Sequence, residues 1–283
     1  MKTFYLKSKN VSKRTKIVQI SDSHIIVVDK NDKEYYEKEK QRKLFFEQEA
    51  LARTGEVHYA EECLENAIEY AKSADLTLFT GDIIEFPTVV NVERMLKHFS
   101  ALDNYLYIFG NHDYMDYTLA ESAKEQYDKN ISLFTSRIDS DLEFVSKEIN
   151  GISVALLDNS RFQFSESQYD NLKKLFDEGK EIVLGMHIPL YHPSLDIIGQ
   201  KKVGVIADTC GMDYDLSSSR YPTPITKKVI DLIKQNHKQV LAILVGHNHF
   251  DTVIKYHEDL LEYVCAPTYL NDFYEFIIEP CEE

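Results

Sequence analysis

One arrangement recurs five times in this chain: a short apolar run that stops abruptly at a polar cluster. Residues 16–20 lead into Ser21, Asp22, Ser23 and His24, residues 76–79 into Thr80, Gly81 and Asp82, and residues 105–109 into Gly110, Asn111, His112 and Asp113. Residues 182–184 lead into Gly185, Met186 and His187, and residues 240–245 into Gly246, His247, Asn248 and His249. Apolar runs of this length read as buried strands. Helical patterns fall at 58–73, 89–101, 121–127, 166–178 and 226–236, with a further strand at 152–157 and short β-rich pieces over 252–278. Strand and helix in alternation predict a layered α/β protein. In an open α/β sheet the carboxyl ends of the strands lie along one edge, where ligands bind. The five clusters are therefore expected to meet in space.

Composition narrows the partners. The chain has 283 residues, 43% of them apolar, enough for a substantial core, and global disorder is excluded. With 32 Lys and Arg against 47 Asp and Glu, the formal charge is −15. Such a protein is repelled by nucleic acid and by anionic membrane surfaces, so general nucleic-acid binding and membrane association are not expected. An anionic substrate has to be drawn in by a local positive feature. No apolar run approaches the ~20 residues of a spanning helix, and the lysine-strewn start is unlike a signal peptide. Cys63, Cys210, Cys265 and Cys281 are far apart, as expected of thiols in the reducing cytoplasm. No repeat or linker divides the chain, which predicts a single domain over 1–283. Two segments stand out within it. The charged stretch around 29–53 reads as an inserted amphipathic helix, either with a solvated outer face or serving as a lid or partner site. The stretch around 189–224 holds four of the seven prolines and three of the ten glycines, and reads as an irregular loop excursion.

The chemistry of the clusters is that of a metal site. Asp22 and His24, two positions apart at a strand end, face the same way and can hold one ion through carboxylate and imidazole. A glycine after a strand, as at Gly110, lets the backbone turn sharply and deliver polar side chains into a cleft. Each motif alone has an ordinary structural alternative: a capping Asp, a Gly-Asp turn, a simple loop or a satisfied core histidine.

Taken together and in chain order, Asp22 and His24, Asp82, Asn111 and His112, His187, then His247 and His249 resemble the signature of the calcineurin-like metallophosphoesterases. The resemblance runs from residue 22 to residue 249 and takes in five of the ten histidines. It implies a four-layer α/β/β/α sandwich, with two mixed sheets flanked by helices. It also implies two divalent or trivalent metal ions of the Mn, Fe or Zn kind. Asp22, His24, Asp82 and His249 would hold one ion, and Asp82, Asn111, His187 and His247 the other, with Asp82 shared. The implied activity is hydrolysis of phosphate monoesters or phosphodiesters, by attack of a hydroxide shared between the ions on phosphorus. His112 would serve the leaving-group side, with Asp113 orienting it or, alternatively, capping a helix. Arg161, after the strand at 152–157, is a candidate phosphate contact, and Tyr191 and His192 candidate pocket residues. The expected partner is a small phosphorylated substrate, and the sequence is silent on oligomeric state. The alternative is a catalytically silent binding scaffold of the same fold, which would be expected to have replaced some of these ligands; none is replaced here.

Overall fold

The computed structural model describes residues 1–212, 218 and 220–281. Its elements run β1 (Lys2–Ser8), β2 (Thr15–Ile20), α1 (Tyr36–Thr54), α2 (Ala60–Ala71), β3 (Leu76–Phe79), α3 (Val89–Phe99), β4 (Tyr105–Tyr107), α4 (Asn111–Tyr114) and α5 (Ala123–Thr135). There follow β5 (Phe144–Ile149), β6 (Ile152–Leu157), α6 (Glu166–Asp177), β7 (Ile182–Gly185), α7 (Pro193–Lys202), α8 (Pro224–Gln235), β8 (Val240–Val245), β9 (Thr252–His257), β10 (Leu260–Val264) and β11 (Tyr274–Pro280). Among the described residues no helix is long and apolar enough to cross a membrane.

The strands form two mixed sheets flanked by helices. The first has the order β1-β11-β2-β3-β4, with β2, β3 and β4 parallel and β11 antiparallel to β2. The second has the order β5-β6-β7-β8-β10-β9, with a parallel centre and an antiparallel strand at either edge. Successive strand residues face opposite ways, and the chain uses both faces. Ile17, Leu76 and Leu78 join Val154, Leu156 and Val183 of the second sheet in one core. Val18, Ile20 and Phe79 face outward onto Leu64 and Ile68 of α2 and Met95 and Phe99 of α3. On the far side of the second sheet, Leu172 and Phe176 of α6 and Val229 and Ile233 of α8 complete the packing. Strands buried on both faces explain why the apolar runs are continuous rather than alternating.

Polar residues at the seam hold the two sheets in register near the strand ends. The buried Gln19 side chain donates to the Val245 carbonyl at 3.0 Å and to Thr80 Oγ1 at 3.1 Å, tying β2 to β8 across the core. Parallel β2, β3 and β4, and parallel β7 and β8, bring all five polar clusters to this seam.

The boundaries differ from expectation for local reasons. Pro224 occupies the first turn of α8 behind the Thr223 cap, so the helix begins two residues before 226. Ser122 and Glu125 form a capping box, and α5 runs on to Thr135 because Phe134 packs edge-on against Phe109 at 4.7 Å. Strands β1 and β5 have no counterpart in the apolar pattern because they lie at sheet edges, where exposed residues carry little apolar signal. The 189–224 stretch contains α7 and is less irregular than expected; its residues 213–217 and 219 lie outside the described ones.

One core position conflicts with its surroundings. Glu262 of β10 is fully buried; its Oε1 accepts the Leu190 N–H at 2.8 Å and its Oε2 has no partner. Burial pushes its carboxyl up to about 8, against the single opposing hydrogen bond. A carboxyl raised in this way is protonated in the fold, so it subtracts stability as pH rises from its unfolded value towards 8. Glu262→Gln is accordingly expected to leave the melting temperature nearly unchanged at pH 5 and to raise it by a few degrees at pH 8–9 in thermal unfolding. An equal shift at both pH values would count against this account.

Candidate metal centre

The strand ends enter the site through strained backbone. Asp22, His24, Asp82, His247 and His249 all have positive φ, at 53°, 46°, 53°, 71° and 52°. Such conformations cost roughly 1–3 kcal/mol each and persist only where the surroundings over-determine them. Here main-chain bonds do so: Asp22 N–H donates to Gly81 O and His24 N–H to Asp82 O, both at 3.0 Å, and His247 N–H donates to both oxygens of Asp22 at 3.0 Å. Two glycines make the approach possible. A Cβ on Gly110 would lie 2.1 Å from Asp82 Oδ1, and one on Gly246 would lie 2.3 Å from Asp22 Oδ2.

Two groups of donor atoms result. In the first, the ligand atoms of Asp22, His24, Asp82 and His249 all lie within 4.8 Å of one another. His24 Nε2 is 2.9 Å from His249 Nε2 and 3.8 Å from Asp82 Oδ2, and His249 Nε2 is 3.5 Å from Asp22 Oδ1. In the second, Asp82, His187 and His247 converge within the same limit. His187 Nε2 is 3.2 Å from Asp82 Oδ2, 3.1 Å from Asn111 Oδ1 and 3.2 Å from His247 Nδ1. Asp82 belongs to both groups. The partners of the far ring nitrogens orient the rings: Nδ1–H of His24 donates to Glu85 at 2.7 Å and that of His187 to the Thr80 carbonyl at 2.8 Å, turning each Nε2 toward the cluster.

Electrostatics fit a cation demand. Burial opposes ionisation of Asp82, yet the His187 and His112 charges hold its pKa well below the usual carboxylate range; burial lowers His187, but the Asp82 charge outweighs that and raises it to about 9, so a cation bound there would displace its Nε2 proton. Burial likewise opposes ionisation of Asp22 and is outweighed by its bond to His249 and the charge of His187. Burial lowers His24 and His247, keeping both imidazoles neutral as ligands must be. Carboxylate, imidazole and one amide oxygen, buried and convergent, are a donor set suited to first-row divalent or trivalent metals.

His112 stands beside this cluster and has a partner the sequence did not suggest. Its Nδ1 lies 3.2 Å from Glu85 Oε2, and its backbone N–H donates to Asp82 Oδ1 at 2.7 Å. Burial lowers its pKa, but the Glu85 and Asp82 charges outweigh that and raise it to about 9. Glu85 is itself held at 2.5 Å by Arg42 Nε of α1. Asp113 does something else. Its carboxylate accepts the N–H groups of Asp82, Ile83, Ile84 and Gly110 at 2.8–3.1 Å, and so fixes the turn that carries Asp82. Asp113 therefore braces main chain rather than orienting His112, because consecutive residues of a helical turn point in different directions. The signal that could have found Glu85 is a carboxylate embedded in the apolar stretch Ile83, Ile84, Glu85, Phe86, three residues after Asp82.

Helix α1 forms a wall of the site, beyond the solvated face the sequence allowed. Phe46 stacks on His24 at 4.8 Å, and Arg53 donates to the His249 carbonyl at 2.5 Å. Of the candidate substrate contacts, Arg161 lies over the Tyr127 ring at 4.4 Å, 3.4 Å from Glu143, and borders a cavity of about 360 Å³ beside Tyr117. His192 caps α7, accepting the Ser194 N–H at 3.2 Å, and the Tyr191 N–H donates to Cys210 O. Among the described residues, neither borders the cavities that contain His112, His247 and His249. Tyr191 and His192 thus lie at the start of α7, held by main-chain and capping bonds, outside the linings of these two cavities.

The model of the calcineurin-like phosphoesterase family matches residues 15–251. Similar solved structures include a dimetal phosphatase from Danio rerio, at 13% identity and a TM-score of 0.54, covering 93% of this chain and 92% of that one. A purple acid phosphatase from yellow lupin (Lupinus luteus) seeds is similar at 12% identity and a TM-score of 0.54, covering 89% of this chain and 44% of that one. At these identities the likeness is one of fold. No curated protein matches the chain.

If Asp82 is shared by two ions, Asp82→Asn should lower bound metal from about two equivalents to one or fewer by elemental analysis, with the far-ultraviolet spectrum unchanged. Gly110→Ala should do the same, since its methyl group displaces the Asp82 carboxylate. Full metal content in both variants would refute the shared role.

Proposed function

Because the chain belongs to the calcineurin-like phosphoesterase family, whose members are metal-dependent hydrolases of phosphoric esters, we propose that it hydrolyses small phosphate monoesters or phosphodiesters at a dinuclear centre. The observation that carries the reading is the convergence of Asp22, His24, Asp82, Asn111, His187, His247 and His249 from five strand ends into two groups that share Asp82. Mn, Fe or Zn suits these donors. When bound, the ions supply Lewis acidity to the phosphate oxygens and a water acidified to near neutrality.

The chain's own residues do the rest. Asp22 and Asp82 anchor the cations, and Glu85 and the Thr80 carbonyl aim the imidazoles of His24 and His187. His112, beside Glu85 and at the rim of a cavity, holds a proton that it donates to the departing oxygen. Arg161 is the further candidate for contacting substrate from the neighbouring cavity. The intact ligand set and the His112–Glu85 contact argue against a silent scaffold. Charge supports a small substrate: an acidic surface repels long polyanions, whereas the metal-filled cleft attracts a single phosphate. The reading treats 1–283 as one domain and, on its four free cysteines, as cytoplasmic.

Substituting His112 separates proton donation from metal binding. His112→Asn is expected to lower kcat for p-nitrophenyl phosphate or its diester by about 10²–10⁴-fold while bound metal stays near the wild-type level. Loss of metal together with activity would assign His112 to the ligand set instead.

A further inference from the structure

We propose that the cavity on the His112 side of the centre receives the leaving group and selects phosphate esters that carry an uncharged, planar aromatic ring there. The inference rests on the phosphoesterase reading above and adds the substrate class to it. The cavity has a volume of about 310 Å³, at the small end of the ~300–1,000 Å³ typical of small-molecule sites. His112 and Glu85 line it, and it extends over Phe45, Phe86, Met115 and Tyr117.

Two of these aromatics are exposed: Phe45 is 45% exposed and Tyr117 is 52% exposed. Both are nonetheless held in place. The Arg42 guanidinium lies 4.6 Å from the Phe45 ring, which also packs edge-on against Phe46 at 5.4 Å. The Tyr117 ring lies 4.8 Å from that of His112. Exposed aromatic faces fixed at the rim of a cavity are a stacking surface for a flat ring.

Lining carboxylates disfavour the other obvious guest, a second phosphate. Asp116 takes up Lys38 at 2.6 Å, and Glu85 takes up Arg42 at 2.5 Å and faces His112 at 3.2 Å. The cavity on the other side of Tyr117 is lined by Lys124, Arg161 and Arg220; these are paired as well, with Asp128, Glu143 and Asp208, but none of those carboxylates is among its described lining residues. His112 borders the first cavity and not the second. A leaving group held against His112 therefore lies in the aromatic, carboxylate-lined one.

The test compares a purine nucleoside 5′-monophosphate with ribose 5-phosphate on the manganese-loaded full chain. Both release a primary alkoxide, and they differ by the ring alone. The expected kcat/KM ratio favours the nucleotide by about tenfold or more, mainly through KM. It should fall to within about twofold of unity in Phe45→Ala and in Tyr117→Ala, with Phe45→Leu and Tyr117→Leu as substitutes should an alanine variant fail to fold. A wild-type ratio near one, or a ratio kept in both variants, overturns the proposal while phosphoester hydrolysis stands. No turnover of either substrate or of p-nitrophenyl phosphate overturns the hydrolytic reading and the proposal with it.

Discussion

Four carboxylates, those of Asp22, Asp82, Glu85 and Asp113, sit at one end of two sheets with at most 2% exposure. An isolated buried carboxylate is so unfavourable that each must be matched, and the local structure is organised by how that is done. Asp113 is matched by main-chain N–H groups, which draws the Asp82 turn and the Gly110 turn together. Glu85 is matched by Arg42, His24 and His112. Asp22 and Asp82 have only imidazoles and a few N–H donors around them, and these are the two whose remaining demand is for cations. The positive-φ residues and the glycines beneath the carboxylates follow from packing so many polar groups into a space that side chains would otherwise fill.

Glu85 links the interior of this network to its wall. One oxygen faces His24 and His112, while the other takes Arg42 from α1. Helix α1 is thus tied to the carboxylate–imidazole cluster through Arg42, through Phe46 on His24, and through Arg53 on the His249 carbonyl. Its highly charged sequence conceals this, because the residues that face inward, such as Glu39 and Phe46, are few and one of them is itself a charge. The same helix supplies Phe45 to the cavity beside His112, so one segment both braces the centre and lines the neighbouring cavity.

How much could be read in advance depended on the kind of signal. The central strands were legible because burial on both faces leaves an unbroken apolar run, and the candidate ligands because each follows such a run directly. Edge strands β1 and β5 were not, since their exposed faces carry lysine and glutamate like any loop. For Asp113 the sequence leaves two roles open, orienting His112 or capping a helix; one step along a helical turn aims the two side chains apart and leaves the Asp113 carboxylate on the Gly110 N–H that opens α4. Glu85 is not legible as a site residue because its partners come from the turn after β2, from α1 and from α4, none of them near it in the chain.

The sequence by itself determined which chemical groups are present and that they stand at strand ends, because strand periodicity and the glycine turns are local properties. It thereby determined the layered α/β class and the donor set. Tertiary structure decided what each group faces: that Glu85 rather than Asp113 meets His112, that His192 caps a helix, and that α1 roofs the site. The physical reason is range. Backbone conformation responds to a few neighbouring residues, whereas the pairing of a buried charge depends on whichever donor the packing of distant elements brings within about 3 Å.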